Sequence, residues 1–286
     1  MSKMFRGTGI IDVRRTFALI GLFIVLATIL VAIFAPFVAT HDPFVQNLEA
    51  RVVPPAWMEG GSSEHLFGTD QLGRDYFSRL VYGARISMTI GLLTVLISGA
   101  IGISLGVVGG YFGGRIDNIV MFIITSRLSI PLILVALTVV ALVGTSLTVV
   151  ILTLGFLLWE RFAVVARTTT MQVRNREFID AARAAGASLP HILLREIIPN
   201  ILPHLVVVAT LEMAIAILLE AALSFLGLGV PPPLPSWGLM IAEARDYMFF
   251  TPWIITIPGI ALFILVFGIN LFGDGLRDLM AGGRSR

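Results

Sequence analysis

Apolar residues run almost unbroken through 17–39, 86–112, 118–144, 146–166, 201–227 and 253–273. Each stretch reaches the roughly 20 residues that a helix needs to cross a bilayer. The pattern predicts an all-α membrane protein with six transmembrane helices. The run 17–39, "FALIGLFIVLATILVAIFAPFVA", is too long for a signal-peptide core and reads as an uncleaved first span. Residues 86–112 hold no charge, 118–144 hold Arg127, 146–166 end near Glu160 and Arg161, and 201–227 hold Glu212 and Glu220. Between these runs lie two loops, 40–85 and 228–252, and one polar segment, 177–199. The prolines of "GVPPPLPSWG" are expected to stop the fifth span, since consecutive prolines cannot continue a helix.

The chain divides accordingly into 1–85, a tail with the first helix and a long loop, and 86–280, a five-helix transmembrane domain. Counted outside the spans, 14 Lys and Arg fall on the side of the N-terminus, and Arg51, Arg74, Arg79, Arg85 and Arg245 fall on the other. Lys and Arg concentrate in cytoplasmic loops, so both termini and 177–199 are expected in the cytoplasm.

Composition agrees. Of 286 residues 57% are hydrophobic and 13% charged, against about 25% charged in a soluble domain. The net charge of +2 gives no footing for nucleic acid. Lys3 is the only lysine, so no Walker A lysine can reach a phosphate and this chain does not hydrolyse ATP through a P-loop. There is no Cys. His41, His65, His191 and His204 show no metal-ligand spacing, and no GxSxG nucleophile elbow occurs. Neither a catalytic constellation nor a metal or cofactor site is expected.

The polar segment "EFIDAARAAGASLPHILLREIIPN" (177–200) has strong helix formers to Ala185. Gly186 is placed to end that helix in the left-handed region. Ser188 is an expected N-cap with Pro190 in the next first turn, and Pro199 marks the expected junction to the fifth span. Ala181, Ala182, Ala184 and Ala185 form a small-residue surface flanked by Glu177, Asp180 and Arg183. An amphipathic helix lying on the membrane is one reading, but such helices use bulkier anchors. A docking face for another protein fits better.

"DAARAAGASLPHILLREIIP" resembles the EAA loop of ABC-importer permeases, with Asp180 in place of Glu and Glu196 in place of the pattern's Ile. "HLFGTDQLGRDYFSRLVYGARISM", "GGYFGGRIDN", "ALSFLGLGVPPPLPSWG" and "NLFGDGLRD" extend the resemblance to the dipeptide/oligopeptide/nickel permease family, subunits of the DppC/OppC type. The resemblance implies a type I importer fold in a bacterial inner membrane. It also implies a homologous DppB/OppB-like permease partner, two ATPase subunits that use ATP and Mg, and an extracytoplasmic binding protein that delivers a peptide or related solute. Asp180, Ala181, Ala182, Arg183 and Gly186 would be the ATPase-coupling contact.

Glu212 and Glu220 lie eight apart on one face of the fifth span. Carboxylates in a membrane are costly. They either line the pathway, sensing an amine or metal, or they pair with Arg127, another span or the second permease, or are protonated. Gly102, Gly106 and Gly110 make a small-residue stripe suited to close helix contact. "GVPPPLPSWG" is either an external gate or a turn, and "GTDQLGRD" has no chemistry legible from sequence. An ion-coupled secondary transporter is the competing function, though no internal repeat supports it.

Overall fold

The computed structural model describes residues 8–282. Lys3, Arg6, Arg284 and Arg286, counted above, lie outside the described residues. The described chain is helical without named strands: α1 Thr8–Ile33, α2 Ala35–Val38, α3 Tyr76–Phe112, α4 Gly114–Leu128, α5 Leu132–Val143, α6 Leu147–Leu157, α7 Glu160–Val173, α8 Glu177–Ala184, α9 Leu189–His191, α10 Ile198–Phe225, α11 Trp237–Glu243 and α12 Trp253–Gly282. Five helical runs are long and apolar enough to cross a membrane. A sixth exists if α4 and α5, bent by 80°, make one span.

Several sequence boundaries are corrected. The second span starts at Tyr76, inside the stretch read as loop, because Asp75 caps α3 by accepting the Ser78 N–H at 2.8 Å. The third is broken: Pro131 holds its neighbourhood extended, so Ser129–Pro131 separates α4 from α5. The fourth reaches Val173, with an interruption at Leu158–Trp159 inside the candidate span Leu147–Val173. Arg161, read from sequence as near the end of the fourth span and one of the 14 charges on the N-terminal side, therefore lies close to mid-span. No break occurs at Pro199: a π-helical turn, Ile192–Ile197, joins α9 to α10. The wider turn moves aside the carbonyl with which a proline ring would clash. The fifth span ends before the prolines. Gly227 (φ +79) closes it, with Gly227 N–H donating to Ser224 O and Leu228 N–H to Leu223 O.

The bundle centres on α3. The Gly102–Gly106–Gly110 stripe lies against α7, where an added Cβ at any of the three would strike its backbone. A second close pair is α1 with α12, at Gly21 and Gly268. At the end of the bundle opposite α8, the loop 40–75 is tied down by its own polar groups. Thr69 Oγ1 donates to Ala50 O and accepts the Val53 N–H (2.9 Å). Asp75 Oδ1 accepts from His65 Nδ1 at 2.9 Å.

"GTDQLGRD" now has a physical account. Asp70 Oδ1 accepts the Leu72 and Arg74 N–H groups, both at 2.9 Å, and its Oδ2 receives Arg74 Nε at 2.6 Å. Arg79 lies 3.2 Å from the same Oδ2 through Nε and bonds Glu243 of α11 through Nη2 at 2.7 Å. Arg74 and Arg79 are buried, and this four-residue charge network fastens the loop to α11. Trp237 ties α11 to α3 as well, donating Nε1–H to Leu80 O at 2.8 Å.

Candidate functional site

α8 and its turn stand apart from the bundle's apolar surface. Residues 182–187 form a closed C-terminal motif: Gly186 N–H donates to Arg183 O and Ala187 N–H to Ala182 O, each at 3.0 Å, with Gly186 at φ +77. The left-handed glycine expected at 186 is present. Ser188 takes the N-cap position with Pro190 in the first turn, but its side chain makes no capping bond. Asp180, Ala181, Arg183 and Gly186 are exposed and Ala182 half-buried. Nothing lies within 4 Å of a Cβ built on Gly186. These five residues thus share a free surface.

The opposite side of α8 is anchored. Ile179 is fully buried in a cluster with Phe162 and Ala166 of α7, Ile192 and Ile197 of the π turn, and Ile201 and Leu205 of α10. Burying such a side chain stabilises by about 1.5–3 kcal/mol. Three arginines reinforce the mount. Arg174 Nη1 donates to the terminal α3 carbonyls of Gly110 (2.7 Å) and Tyr111 (3.0 Å), a favourable use of a cation at a helix C-terminus. Arg167 grips Asp117 of α4 with Nε and with Nη2, the latter at 2.6 Å. Arg183 pairs with Asp180 at 3.1 Å and lies 5.5 Å from the Tyr111 ring centroid. The two departures from the EAA pattern gain partners: Asp180 has Arg183, and Glu196 stands 3.7 Å from His191 Nε2. α8 is a short exposed helix fixed to α3, α7 and α10, so a push on it reaches three long helices.

The membrane charges fall into two places. Glu220 is buried and accepts from Ser224 Oγ and Ser236 Oγ, both at 2.8 Å. Ser236 also accepts the Leu239 N–H at 3.0 Å, capping α11. Glu220 thereby holds α11 to α10. Glu212 is buried 3.3 Å from Arg161 Nη1. The suggested pairing of either glutamate with Arg127 is corrected. Arg127 donates to Ile130 O (3.3 Å) and to Leu157 O (2.6 Å). Leu157 is the last residue before the α6–α7 interruption, so Arg127 satisfies a carbonyl that a continuous helix would have used. Sequence reading missed Glu160 and Arg161 as a membrane cluster because they looked like a span's end. The signal was two charges followed by "FAVVA", an apolar continuation.

Comparison with known proteins agrees with this architecture. Residues 102–285 match the family described as binding-protein-dependent transport system inner membrane component. Residues 13–55 match the N-terminal TM domain of oligopeptide transport permease C. The chain is 41% identical to the dipeptide transport system permease protein DppC of Haemophilus influenzae, over 92% of this chain and 89% of that protein. It is 41% identical to the di/tripeptide transport system permease protein DppC of Pseudomonas aeruginosa, over 92% and 87%. It is 40% identical to the probable D,D-dipeptide transport system permease protein DdpC of Escherichia coli K12, over 91% and 87%. A chain of the inward-facing MetNI methionine ABC transporter shares the fold, with TM-score 0.57, 21% identity, and coverage of 73% of this chain and 97% of that one. With its multi-pass helical bundle and matches along nearly its whole length, the chain belongs to the binding-protein-dependent transport system inner membrane component family and is a permease subunit of a bacterial ABC transporter.

Proposed function

We propose that this permease imports peptides, and that α8 is the coupling helix through which ATP-driven motion enters the membrane. The observation that carries the proposal is the two-sidedness of α8. Asp180, Ala181, Ala182, Arg183 and Gly186 present small and polar groups outward, while Ile179 locks the inner side into α7 and α10. The peptide substrate class rests on the dipeptide and di/tripeptide permeases that this chain resembles.

In this reading α8 and both termini face the cytoplasm, and the 40–75 loop with α11 faces outward. Two ATPase subunits receive the coupling helices of this chain and of a homologous DppB/OppB-like permease. Those subunits bind ATP and Mg, and an extracytoplasmic binding protein delivers the peptide. The division read at 85/86 falls inside α3, and the start of that helix at Tyr76 is the better boundary between the first helix with its loop and the five-helix pathway unit. Closure of the ATPases draws the coupling helices together, and the spans rock between inward-open and outward-open arrangements. The ATPase dimer can drive this only through contacts that differ between the two states.

The test is Gly186→Val together with Ala182→Trp in the assembled transporter. Val at φ +77 is strained, and Trp at 182 fills the close-contact surface. Both variants are expected to insert normally, to lose ATPase co-purification and to abolish peptide uptake. Wild-type uptake by either variant would refute the role of α8.

A further inference from the structure

Arg161 is a charged side chain in the wrong place for lipid. It lies close to the middle of the span Leu147–Val173, at the start of α7, on the order of 20 Å from either end at about 1.5 Å per residue. Yet its side chain is 57% exposed. A guanidinium facing hydrocarbon at that depth is disfavoured by about 2.5–3.5 kcal/mol on insertion scales. The exposed side of Arg161 therefore faces water or another protein.

Three features show a built site there. Glu212 of α10 is buried behind Arg161, with its Oε1 3.3 Å from Nη1. Glu160, next in sequence, is also buried, and its Oε2 has no hydrogen-bond partner. The α6–α7 helix is interrupted immediately before them at Leu158–Trp159, and the α4–α5 break lies across from it, joined by the Arg127 bond to Leu157 O. Broken helices with charges at mid-membrane depth mark solute sites in other transporters. Among the described residues Glu212 is Arg161's only ion-pair partner, so the rest of its planar donor fork is free. That fork matches a carboxylate.

We infer that Arg161 lines the translocation pathway and binds the carboxylate of the passing solute, with Glu212 as the residue that positions it. The inference rests on the peptide-import reading, because a peptide brings at least one carboxylate. Glu212 keeps the arginine from turning away, and its charge, together with that of buried Glu160, limits how tightly an anion is held. A site that a solute must leave benefits from that restraint.

The experiment measures uptake of Ala-Asp, Ala-Ala and Ala-Ala amide, with two, one and no carboxylates, into proteoliposomes holding the complete transporter. The binding protein's affinity for each peptide is measured separately. Arg161→Gln is expected to reduce Ala-Asp uptake by about tenfold, equivalent to about 1.4 kcal/mol, Ala-Ala less, and Ala-Ala amide least. Arg161→Lys should recover part of the loss. The double variant Arg161→Gln/Glu212→Gln, which also removes the carboxylate that Arg161→Gln would leave without its cation, should keep the same peptide ranking. Equal loss for all three peptides, or full recovery in the double variant, would overturn the inference and leave Arg161 as a structural counter-charge. Failure of the wild-type transporter to take up any of the three would instead refute the peptide-import reading.

Discussion

Removing the Glu243 carboxylate leaves two buried guanidiniums, Arg74 and Arg79, sharing one acid, Asp70. Arg79 is 0% exposed and Arg74 2% exposed, whereas Glu243 is 17% exposed. Arg79 is already short of partners, since Nε and Nη1 make no well-aligned hydrogen bond. Its 2.7 Å bond to Glu243 Oε2 is therefore its best contact. Breaking a buried ion pair from one side costs about 3–5 kcal/mol, and the partial hydration of Glu243 places this case near the lower end, about 3 kcal/mol. At about 2–4 °C per kcal/mol for a chain of this size, the loss corresponds to a fall of about 6–12 °C in the melting temperature. The assay is thermal aggregation of the purified transporter in detergent, followed by size-exclusion chromatography. Glu243→Gln, which keeps an oxygen acceptor but no charge, should fall between wild type and Glu243→Ala. Asp246→Ala is the control, because the Arg245–Asp246 pair is exposed at 57% and 82% and such pairs contribute about 0–1 kcal/mol. A Glu243→Ala shift no larger than that of Asp246→Ala would show that the network does not hold α11 to the loop.

The α3–α7 contact should tolerate no side chain: Gly106→Leu drives a branched chain into the Ala163 carbonyl and Ala166, and the variant is expected to be degraded in membranes, read by immunoblot. Ile179→Ala should cost about 2–5 kcal/mol of packing under α8, so ATPase activity should persist while peptide uptake per ATP falls; an unchanged ratio would refute the mount. Ser236→Ala removes both the α11 cap and one of the two hydroxyls on Glu220, and should lower the melting temperature by an amount matching about 0.5–2 kcal/mol.

The sequence by itself determined the membrane class, the number of apolar runs and the position of the short polar helix that ends at Gly186. These are local properties: 20 apolar residues are legible without knowing what surrounds them, and so is a glycine ending a helix, which is why Gly186 was found where expected. The EAA segment was legible for the same reason, its spacing lying within one short stretch. What failed were features decided by distant partners. The start of α3 was the exception, a local cap by Asp75 that looked like an ordinary loop residue. The α6–α7 interruption needed Arg127, 30 residues earlier, to satisfy the Leu157 carbonyl. The pairing of Glu212 with Arg161 rather than Arg127 followed from which faces of α7 and α10 meet, and Glu220 found hydroxyls instead of a cation. Arg74 and Arg79 reached Glu243 across 169 and 164 residues. Apolar length is additive along the chain, so sequence reports it. A buried charge is stable only beside a particular partner, and only the tertiary structure decides which partner arrives.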